Sequence, residues 1–241
     1  KRPILLSLDD YYIDRDKIQP DEHGKLDLEH IETLDIELFK QHLELLLAGE
    51  RVEIPTFDFK RGRRGEKVHS LLIGPDEPLI IEGIHGLNPR MLSPAIPRES
   101  IFRVYVSALT TLNLDDHNRI PTTDIRLLRR MVRDHEMRGT SVEDTLSMWK
   151  SVRSGEEKWI FPFQEEADAF FNTALVYEPA VLKKHIFPLL QAVSPENEHY
   201  GQVRGLIKFL NYFADADIED EIPPTSILRE FIGGNTFYRK C

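Results

Sequence analysis

The sequence is poor in cysteine and has no long apolar run. Its one cysteine, Cys241, is the last of 241 residues. A single cysteine excludes an intrachain disulfide framework and a zinc site built from cysteines. No apolar stretch approaches the roughly 20 residues that cross a bilayer, and the first residues lack the pattern of a cleaved leader. We therefore expect a cytoplasmic protein with no membrane partner.

Positive charge is also scarce. The formal net charge of −10 argues against general nucleic-acid binding, which depends on an excess of Lys and Arg. Two local concentrations of basic residues suit a small anionic ligand, although solvated surfaces would explain them equally well. The first contains Lys60, Arg61, Arg63 and Arg64, and the second contains Arg126, Arg129, Arg130, Arg133 and Arg138.

Short apolar runs alternate with helical patterns along the first part of the chain. The runs at residues 4–8, 79–81 and 102–106 predict strands, and the first two end in acidic residues. Residues 35–47 carry apolar side chains at helical spacing and are followed by Gly49, which favours helix termination. This alternation predicts an α/β domain with a parallel sheet.

The second part of the chain is predicted to be mostly helical. Residues 124–138 predict a helix that is capped by Thr122 or Thr123 and ended by Gly139. Ser141 and Asp144 have the spacing of a capping box that opens another helix, through Trp149. Helices are also expected at residues 181–190 and 203–213. We expect a core domain at residues 1–193 and a helical C-terminal extension at residues 194–241.

Carboxylates follow two of the predicted strands. Asp9 and Asp10 come after the first strand, and Glu82 closes the second. In open α/β sheets ligands bind beyond the carboxyl ends of the strands, so these side chains are placed for one crevice. They could hold Mg²⁺ or accept a proton from an attacking hydroxyl. Carboxylates at such positions also cap helices, which is the structural alternative.

Arginines line one face of the predicted helix at residues 124–138. Arg126, Arg130 and Arg133 are spaced at i, i+4 and i+7, so they project from the same side. Such a row can bind phosphates bidentately and balance charge on a transferring phosphoryl group. A solvated arginine face is the commoner explanation for a basic stripe considered alone.

Several short motifs together resemble the phosphoribulokinase and uridine kinase family of P-loop kinases, and within it a bacterial uridine kinase-like subgroup. Their order and approximate spacing match over residues 4–168. The motifs are Ser7-Leu8-Asp9-Asp10-Tyr11-Tyr12, Pro55-Thr56-Phe57-Asp58-Phe59, Ile81-Glu82-Gly83-Ile84, Arg129-Arg130-Met131-Val132-Arg133-Asp134 with Arg138-Gly139, and residues 159–168; His117-Asn118-Arg119-Ile120-Pro121 and residues 223–234 point to the subgroup.

The resemblance implies a P-loop NTPase-type three-layer fold and a role for each matching residue. It implies ATP and Mg²⁺ as cofactors. Asp9 would be the base that takes the proton of a nucleoside 5′-hydroxyl. Asp9 and Glu82 would both lie near the metal. Arg133 and Arg138 would close over the phosphates as a lid. The implied substrate-binding residues are Tyr12, Phe57 and Phe59 at the base, and Asp27 or Glu29 with Arg130 at the ribose hydroxyls.

The sequence departs from the family pattern in the acceptor region. Pyrimidine-specific members carry a histidine three residues after the second aromatic of the turn, where this chain has Gly62. The turn's tyrosine is replaced by Phe57. Because hydrogen-bonding sites discriminate far better than apolar ones, uridine specificity does not transfer with the fold.

The phosphate-binding string G-x-x-x-x-G-K-[ST] does not occur in the sequence. The glycine-containing basic run at residues 61–67 does not link a strand to a helix, so we do not expect it to substitute for that loop. Since the strand that precedes the loop would lie in the middle of the sheet, we expect sequence upstream of Lys1 to supply both.

The leading interpretation is an ATP-dependent kinase that phosphorylates the 5′-hydroxyl of a nucleoside. Two alternatives stay open. One is a non-catalytic nucleotide-binding or regulatory relative, and the other is a kinase for a different hydroxyl acceptor, such as a sugar phosphate or pantothenate. Family members are often oligomeric, so a homo-oligomer is an expectation to be tested.

Overall fold

The computed structural model describes residues 2–20 and 26–237. The chain divides into two compact units. The first contains Lys1–Tyr105 and Ser151–Ala169, and the second contains Val106–Lys150 and Phe170–Cys241. The elements of the first unit are β1 (Ile4–Ser7), α1 (Ile36–Leu47), β2 (Val52–Ile54), β3 (Phe57–Asp58), β4 (Arg63–Arg64), β5 (His69–Leu71) and β6 (Leu79–Glu82).

A parallel pair of strands, β1 and β6, organises the first unit and confirms the predicted α/β class. Its register pairs Ile4 with Leu79 and Ser7 with Glu82, so both strands end at the same edge. Side chains alternate between the two faces of a strand. Leu6 and its neighbours on one face join the hydrophobic core. On the other face Leu5 is 60% exposed, so the expected burial of the first strand is wrong for that face.

Helix α1 packs against β2 and the turn that follows β1, and it buries one apolar face in the same core, as its sequence pattern predicted. Asp35 caps the helix by accepting a hydrogen bond from the Leu38 amide at 3.1 Å. Phe39, Leu43 and Leu46 are buried on one face. Leu47, the last residue of the apolar pattern, is 54% exposed, so the pattern overestimated the buried face by one residue.

Two antiparallel ribbons, which were not predicted from the sequence, follow α1. Strands β2 and β5 pair with Val52 opposite Leu71, and β3 and β4 pair with Phe57 opposite Arg64. The β3–β4 turn ends at Gly62, whose backbone is left-handed with φ of 66°. Runs of two or three residues are too short to show a strand period, which explains why they were missed.

The division between the units passes through some elements. Strand β7 (Val104–Ser107) pairs with β8 (Ala169–Asn172), and both cross the boundary. Helix α3 (Val142–Trp159) also crosses it. We expected this helix to reach Trp149, but it continues for ten residues more, and through Gly155, to Trp159. The predicted capping box is present, since Ser141 Oγ accepts from the Asp144 amide at 3.0 Å.

Helices make up most of the second unit. They are α2 (Thr122–Arg138), the first part of α3, α4 (Glu178–Gln191), α5 (Tyr200–Leu210) and α6 (Arg229–Ile232). Helix α2 begins after Pro121, so Thr122 and Thr123 lie inside it rather than capping it. Gly139 ends it with φ of 65°, as predicted.

The interior of the second unit contains a buried ion pair. Arg129 of α2 donates two hydrogen bonds to the Glu178 carboxylate of α4, and further bonds to Thr173. Helix α2 packs on both α4 and α6, and α4 packs on α5. The region after residue 193 is helical, but the predicted domain boundary at that residue stays a prediction. None of the described helices is long and apolar enough to span a bilayer.

Candidate functional site

The edge where β1 and β6 end carries the first group of candidate residues. After Ser7 the chain turns into a single 3₁₀ helix, Leu8–Tyr11. Ser7 Oγ accepts a hydrogen bond from the Asp9 amide at 3.3 Å and donates one to the Glu82 carboxylate. Ser7 therefore links the end of one strand to the acidic residue that closes the other. The crevice predicted from the sequence has its acidic residues where the two parallel strands end.

Asp10 lies in an electrostatic environment that favours its neutral form. Burial raises the pKa of Asp10, the His69 imidazole opposes that shift, and the negative charge of Glu82 raises the pKa further. Asp9 is exposed, whereas Asp10 is half-buried. Asp10 and Glu82 repel each other at this strand edge, and a cation bound nearby would stabilise both carboxylates.

These carboxylates fit the requirements of Mg²⁺. Magnesium is usually held by one or two carboxylates together with substrate phosphates and water, rather than by a cage of protein ligands. The described residues accordingly include no cluster of three or more acidic, His or Cys side chains that could hold a metal alone. Asp9 and Glu82, the two carboxylates predicted to hold the metal, lie at the ends of β1 and β6 and would be the protein's ligands in such a partial site.

Three aromatic rings form a compact cluster beside Asp9. The ring centroids of Tyr12 and Phe57 are 5.5 Å apart, those of Tyr12 and Phe59 are 5.7 Å apart, and those of Phe57 and Phe59 are 5.1 Å apart. The Tyr12 pKa is raised by burial and then by the negative charges of Asp9 and Glu29. The first unit thus brings five predicted site residues into one neighbourhood.

The segment that contains Asp27 and Glu29 is held by local and tertiary contacts. Asp27 Oδ1 accepts from the Glu29 amide at 3.1 Å. The next residue, His30, stacks edge-on against Trp159 of α3 with ring centroids 4.3 Å apart. Glu29 also packs so closely on Gly155 that a Cβ at that glycine would lie 2.3 Å from the Glu29 Cβ. This contact explains why α3 carries a glycine in its interior.

His85 is a residue near this segment that the sequence analysis did not single out. Its side chain is 1% exposed, and neither ring nitrogen has a hydrogen-bond partner of good geometry among the described residues. Burial lowers the pKa of His85 to about 4, against smaller upward effects from the Glu29 backbone carbonyl and from Asp27. His85 is therefore neutral at physiological pH. It follows the Glu82-Gly83 pair, but no sequence pattern distinguishes it from a core histidine.

The predicted lid arginines, Arg133 and Arg138, and the predicted ribose-binding Arg130 lie in the second unit, where carboxylates of that unit bind each of them. Arg130 and Arg138 both donate to Asp134, a residue with no exposed surface. Arg133 Nη1 donates to Glu230 of α6 at 3.2 Å. Arg130 and Arg133 of the predicted row are thus engaged in ion pairs within their own unit, as is Arg138. Their part in ligand binding stays a prediction.

The comparisons with known proteins agree on one family. The model described as "Phosphoribulokinase / Uridine kinase family" matches residues 6–177. A uridine kinase from Aliivibrio salmonicida is 32% identical over 192 residues, which cover 78% of this chain and 80% of that protein. A uridine kinase from Macrococcus caseolyticus is 30% identical over 165 residues, covering 68% and 71% of the two chains.

Two more distant likenesses complete the comparison. A uridine kinase from Halobacterium salinarum is 28% identical over 166 residues, and the match spans 68% of this chain but only 65% of that protein. A solved structure, described as a candidate fructose transport system kinase from Silicibacter sp. TM1040, is 19% identical with a TM-score of 0.45; it covers 70% of this chain and 74% of its own. A TM-score of that size carries no weight here. The family match and the Aliivibrio relative are sufficient: the chain belongs to the phosphoribulokinase and uridine kinase family of phosphotransferases.

Proposed function

We propose that the protein is an ATP-dependent kinase that transfers a phosphoryl group to the 5′-hydroxyl of a nucleoside. One observation carries the proposal: Tyr12 feels the negative charges of both Asp9 and Glu29, and its ring lies against those of Phe57 and Phe59. A carboxylate next to an aromatic wall suits a nucleoside. The carboxylate can accept the proton of the 5′-hydroxyl while the nucleobase stacks on the aromatic rings.

Asp9 accepts the proton of the attacking hydroxyl in this mechanism. Its exposed carboxylate begins the turn that follows β1, and it is positioned by a backbone hydrogen bond to Ser7. Phosphoryl transfer asks little covalent chemistry of a protein, so catalysis rests on alignment and electrostatics. The aromatic rings hold the nucleobase of the acceptor in place. The carboxylate oxygens of Asp27 and Glu29 accept hydrogen bonds from the ribose hydroxyls.

Asp9 and Glu82 would hold Mg²⁺, with Asp10 beside them. When bound, the metal neutralises negative charge on the phosphates of ATP. Glu82 is anchored for this purpose by its hydrogen bond from Ser7. The sequence contains no phosphate-binding string of the family's type, so the residues assigned here belong to the acceptor side and the lid.

Arg130 contributes to binding of the ribose hydroxyls, and Arg133 and Arg138 contribute to phosphate binding. Each guanidinium is partly exposed, with 25%, 31% and 49% of its side-chain surface accessible. Charge-assisted, bidentate bonds to phosphate are strong enough to compete with the partly exposed Arg133–Glu230 pair. Arg130 and Arg138 pair with the buried Asp134 carboxylate, so we expect them to keep that contact when they bind a ligand.

A product assay with a nucleoside panel tests the proposal. The protein, expressed from its complete gene, is incubated with ATP, Mg²⁺ and each nucleoside, and products are identified by mass spectrometry. We expect a nucleoside 5′-monophosphate from at least one ribonucleoside, and none from the matching 5′-deoxynucleoside, which lacks the attacking hydroxyl. The proposal fails if no nucleoside is phosphorylated, or if the phosphoryl group is found at another position.

A further inference from the structure

The β3–β4 turn has a built geometry that depends on glycine at position 62. The Gly62 amide donates to the Asp58 carbonyl at 2.7 Å, and the Asp58 side chain accepts from the amides of Lys60 and Arg61. Gly62 itself has φ of 66°, in the left-handed region that glycine adopts most readily. This is the position at which a base-reading histidine was expected.

The side chain of Arg15 fills the space that a residue at position 62 would use. A Cβ built on Gly62 would lie 2.5 Å from Cδ of Arg15 and 2.9 Å from its Cγ and Nε. The Arg15 amide also donates to the Gly62 carbonyl at 2.8 Å, so the two residues are tied through their backbones. A side chain at position 62 and the present position of Arg15 are mutually exclusive.

The guanidinium of Arg15 is hydrogen-bonded from this position to the backbone of Phe59, one of the three clustered aromatic residues. Its Nη2 donates to the Phe59 backbone carbonyl at 3.1 Å, and the Phe59 ring is in contact with those of Tyr12 and Phe57. The hydrogen bond uses one donor of a group that has five. Arg15 is exposed, so a ligand that stacks on the cluster can approach it.

We infer that Arg15 takes over acceptor selection from position 62, and that it selects acceptors presenting hydrogen-bond-accepting oxygens, as carbonyl or carboxylate groups. This inference rests on the proposed function, because it concerns the same acceptor site. A guanidinium only donates hydrogen bonds, whereas a neutral imidazole can either donate or accept. If an acceptor presented an amino group to Arg15, two hydrogen-bond donors would face each other. Neither the amino group nor the guanidinium would then have a hydrogen-bond partner there.

Three pyrimidine ribonucleosides that differ only in the substituents of the pyrimidine ring provide the test. Uridine carries a carbonyl where cytidine carries an amino group, and orotidine adds a carboxylate to the uracil ring. Affinities for all three are measured by calorimetry on the complete protein, so that the result does not depend on turnover. We expect uridine, orotidine or both to bind at least about tenfold more tightly than cytidine, the effect of one hydrogen bond to a charged group.

The Arg15→Ala variant is expected to bring the three affinities to within about twofold of one another, and Arg15→Lys to keep part of the preference. Tighter binding of uridine identifies the carbonyl as the selected group, and tighter binding of orotidine identifies the carboxylate. Equal affinities in the unmodified protein, an unchanged preference in Arg15→Ala, or failure of both oxygen-bearing nucleosides to bind would each overturn the inference.

A pair of glycine variants separates the position of Arg15 from simple backbone strain. Gly62→Ala forces Arg15 out of place and should abolish the preference, as Arg15→Ala does. Gly49→Ala is the control, because Gly49 has a similar φ of 79° but no atom within 4 Å of its Cβ position. We expect Gly49→Ala to retain the preference. If Gly62→Ala retains it too, Arg15 does not act through this contact.

The inference and the proposed function fail in different ways. Selective binding that depends on Arg15, without any transfer of phosphate, would support the inference and refute the kinase. Transfer of phosphate to uridine and cytidine at equal efficiency, unaffected by Arg15→Ala, would support the kinase and refute the inference.

Discussion

Asp10 and His85, two titratable residues close to the candidate acceptor site, are both shifted toward their neutral forms by burial. The pKa of Asp10 is raised, and that of His85 is lowered to about 4. Burial penalises whichever form of a group is charged, so an acid and a base shift in opposite directions. Asp9, in contrast, is exposed. The sequence places Asp9 and Asp10 side by side, and only the fold gives them different surroundings.

His85 should make stability depend on pH in a defined window. Its pKa is about 4 in the folded protein against 6.5 for an ordinary histidine, so the unfolded chain binds a proton first as pH falls. The contribution of His85 to the free energy of unfolding is therefore fully present above pH 6.5 and is lost progressively as the pH falls toward 4. The complete loss amounts to about 3 kcal/mol.

Chemical denaturation between pH 7 and pH 4.5 measures this effect. We expect His85→Leu to flatten the decline in the free energy of unfolding, and the exposed His117→Gln control to leave it unchanged. A decline equally steep in His85→Leu would show that other groups cause it.

At the scale of elements, long periodic segments were predictable and short ones were not. The face of α1, the end of α2 at Gly139 and the capping box at Ser141 follow from spacing and from residue type. The predicted end of α3, at Trp149, was ten residues too early. The helix continues through Gly155, where a glycine is required by close packing on Glu29, a contact that the sequence does not reveal. The ribbon strands β2 to β5 are held by pairing rather than by periodicity.

Asp35 has two functions at the start of α1, and substitutions can separate them. It caps the helix through the Leu38 amide, and its other oxygen accepts from Arg64 Nη2 at 2.8 Å. Asp35→Ala removes both contacts and should lower the free energy of unfolding by about 1–2 kcal/mol. Asp35→Asn retains a capping oxygen and should cost clearly less, because the ion pair is partly exposed. Equal losses in urea denaturation would mean that the ion pair, rather than the cap, is the stabilising contact.

The ion pair between α2 and α4 should be far more sensitive to substitution. Glu178 is fully buried, and Glu178→Gln would leave the charge of Arg129 without a counterion, at a cost of about 3–5 kcal/mol. The control is Glu157→Gln, which removes an exposed carboxylate from Arg153 but leaves that arginine paired with Glu156, and it should cost less than about 1 kcal/mol. Similar melting temperatures for the two variants would contradict this account.

At the scale of the whole molecule, the family match over residues 6–177 runs through both compact units. The acceptor residues belong to the first unit and the lid arginines to the second. Motif order along the chain was enough to predict the α/β class and the family. The substitute for the missing base-reading histidine was not predictable, because Arg15 and Gly62 are 47 positions apart and meet only in the folded chain.

The central claim is that Asp9 is the base of a nucleoside kinase, and Asp9→Asn tests it most directly. Rates of 5′-phosphorylation and affinities for the nucleoside are measured on this variant, and on Asp16→Asn as a control at an exposed acidic residue nearby. We expect Asp9→Asn to bind the nucleoside with nearly unchanged affinity and to lose about 10²- to 10⁴-fold in rate. Asp16→Asn should keep its full rate. Full activity in Asp9→Asn would contradict the account.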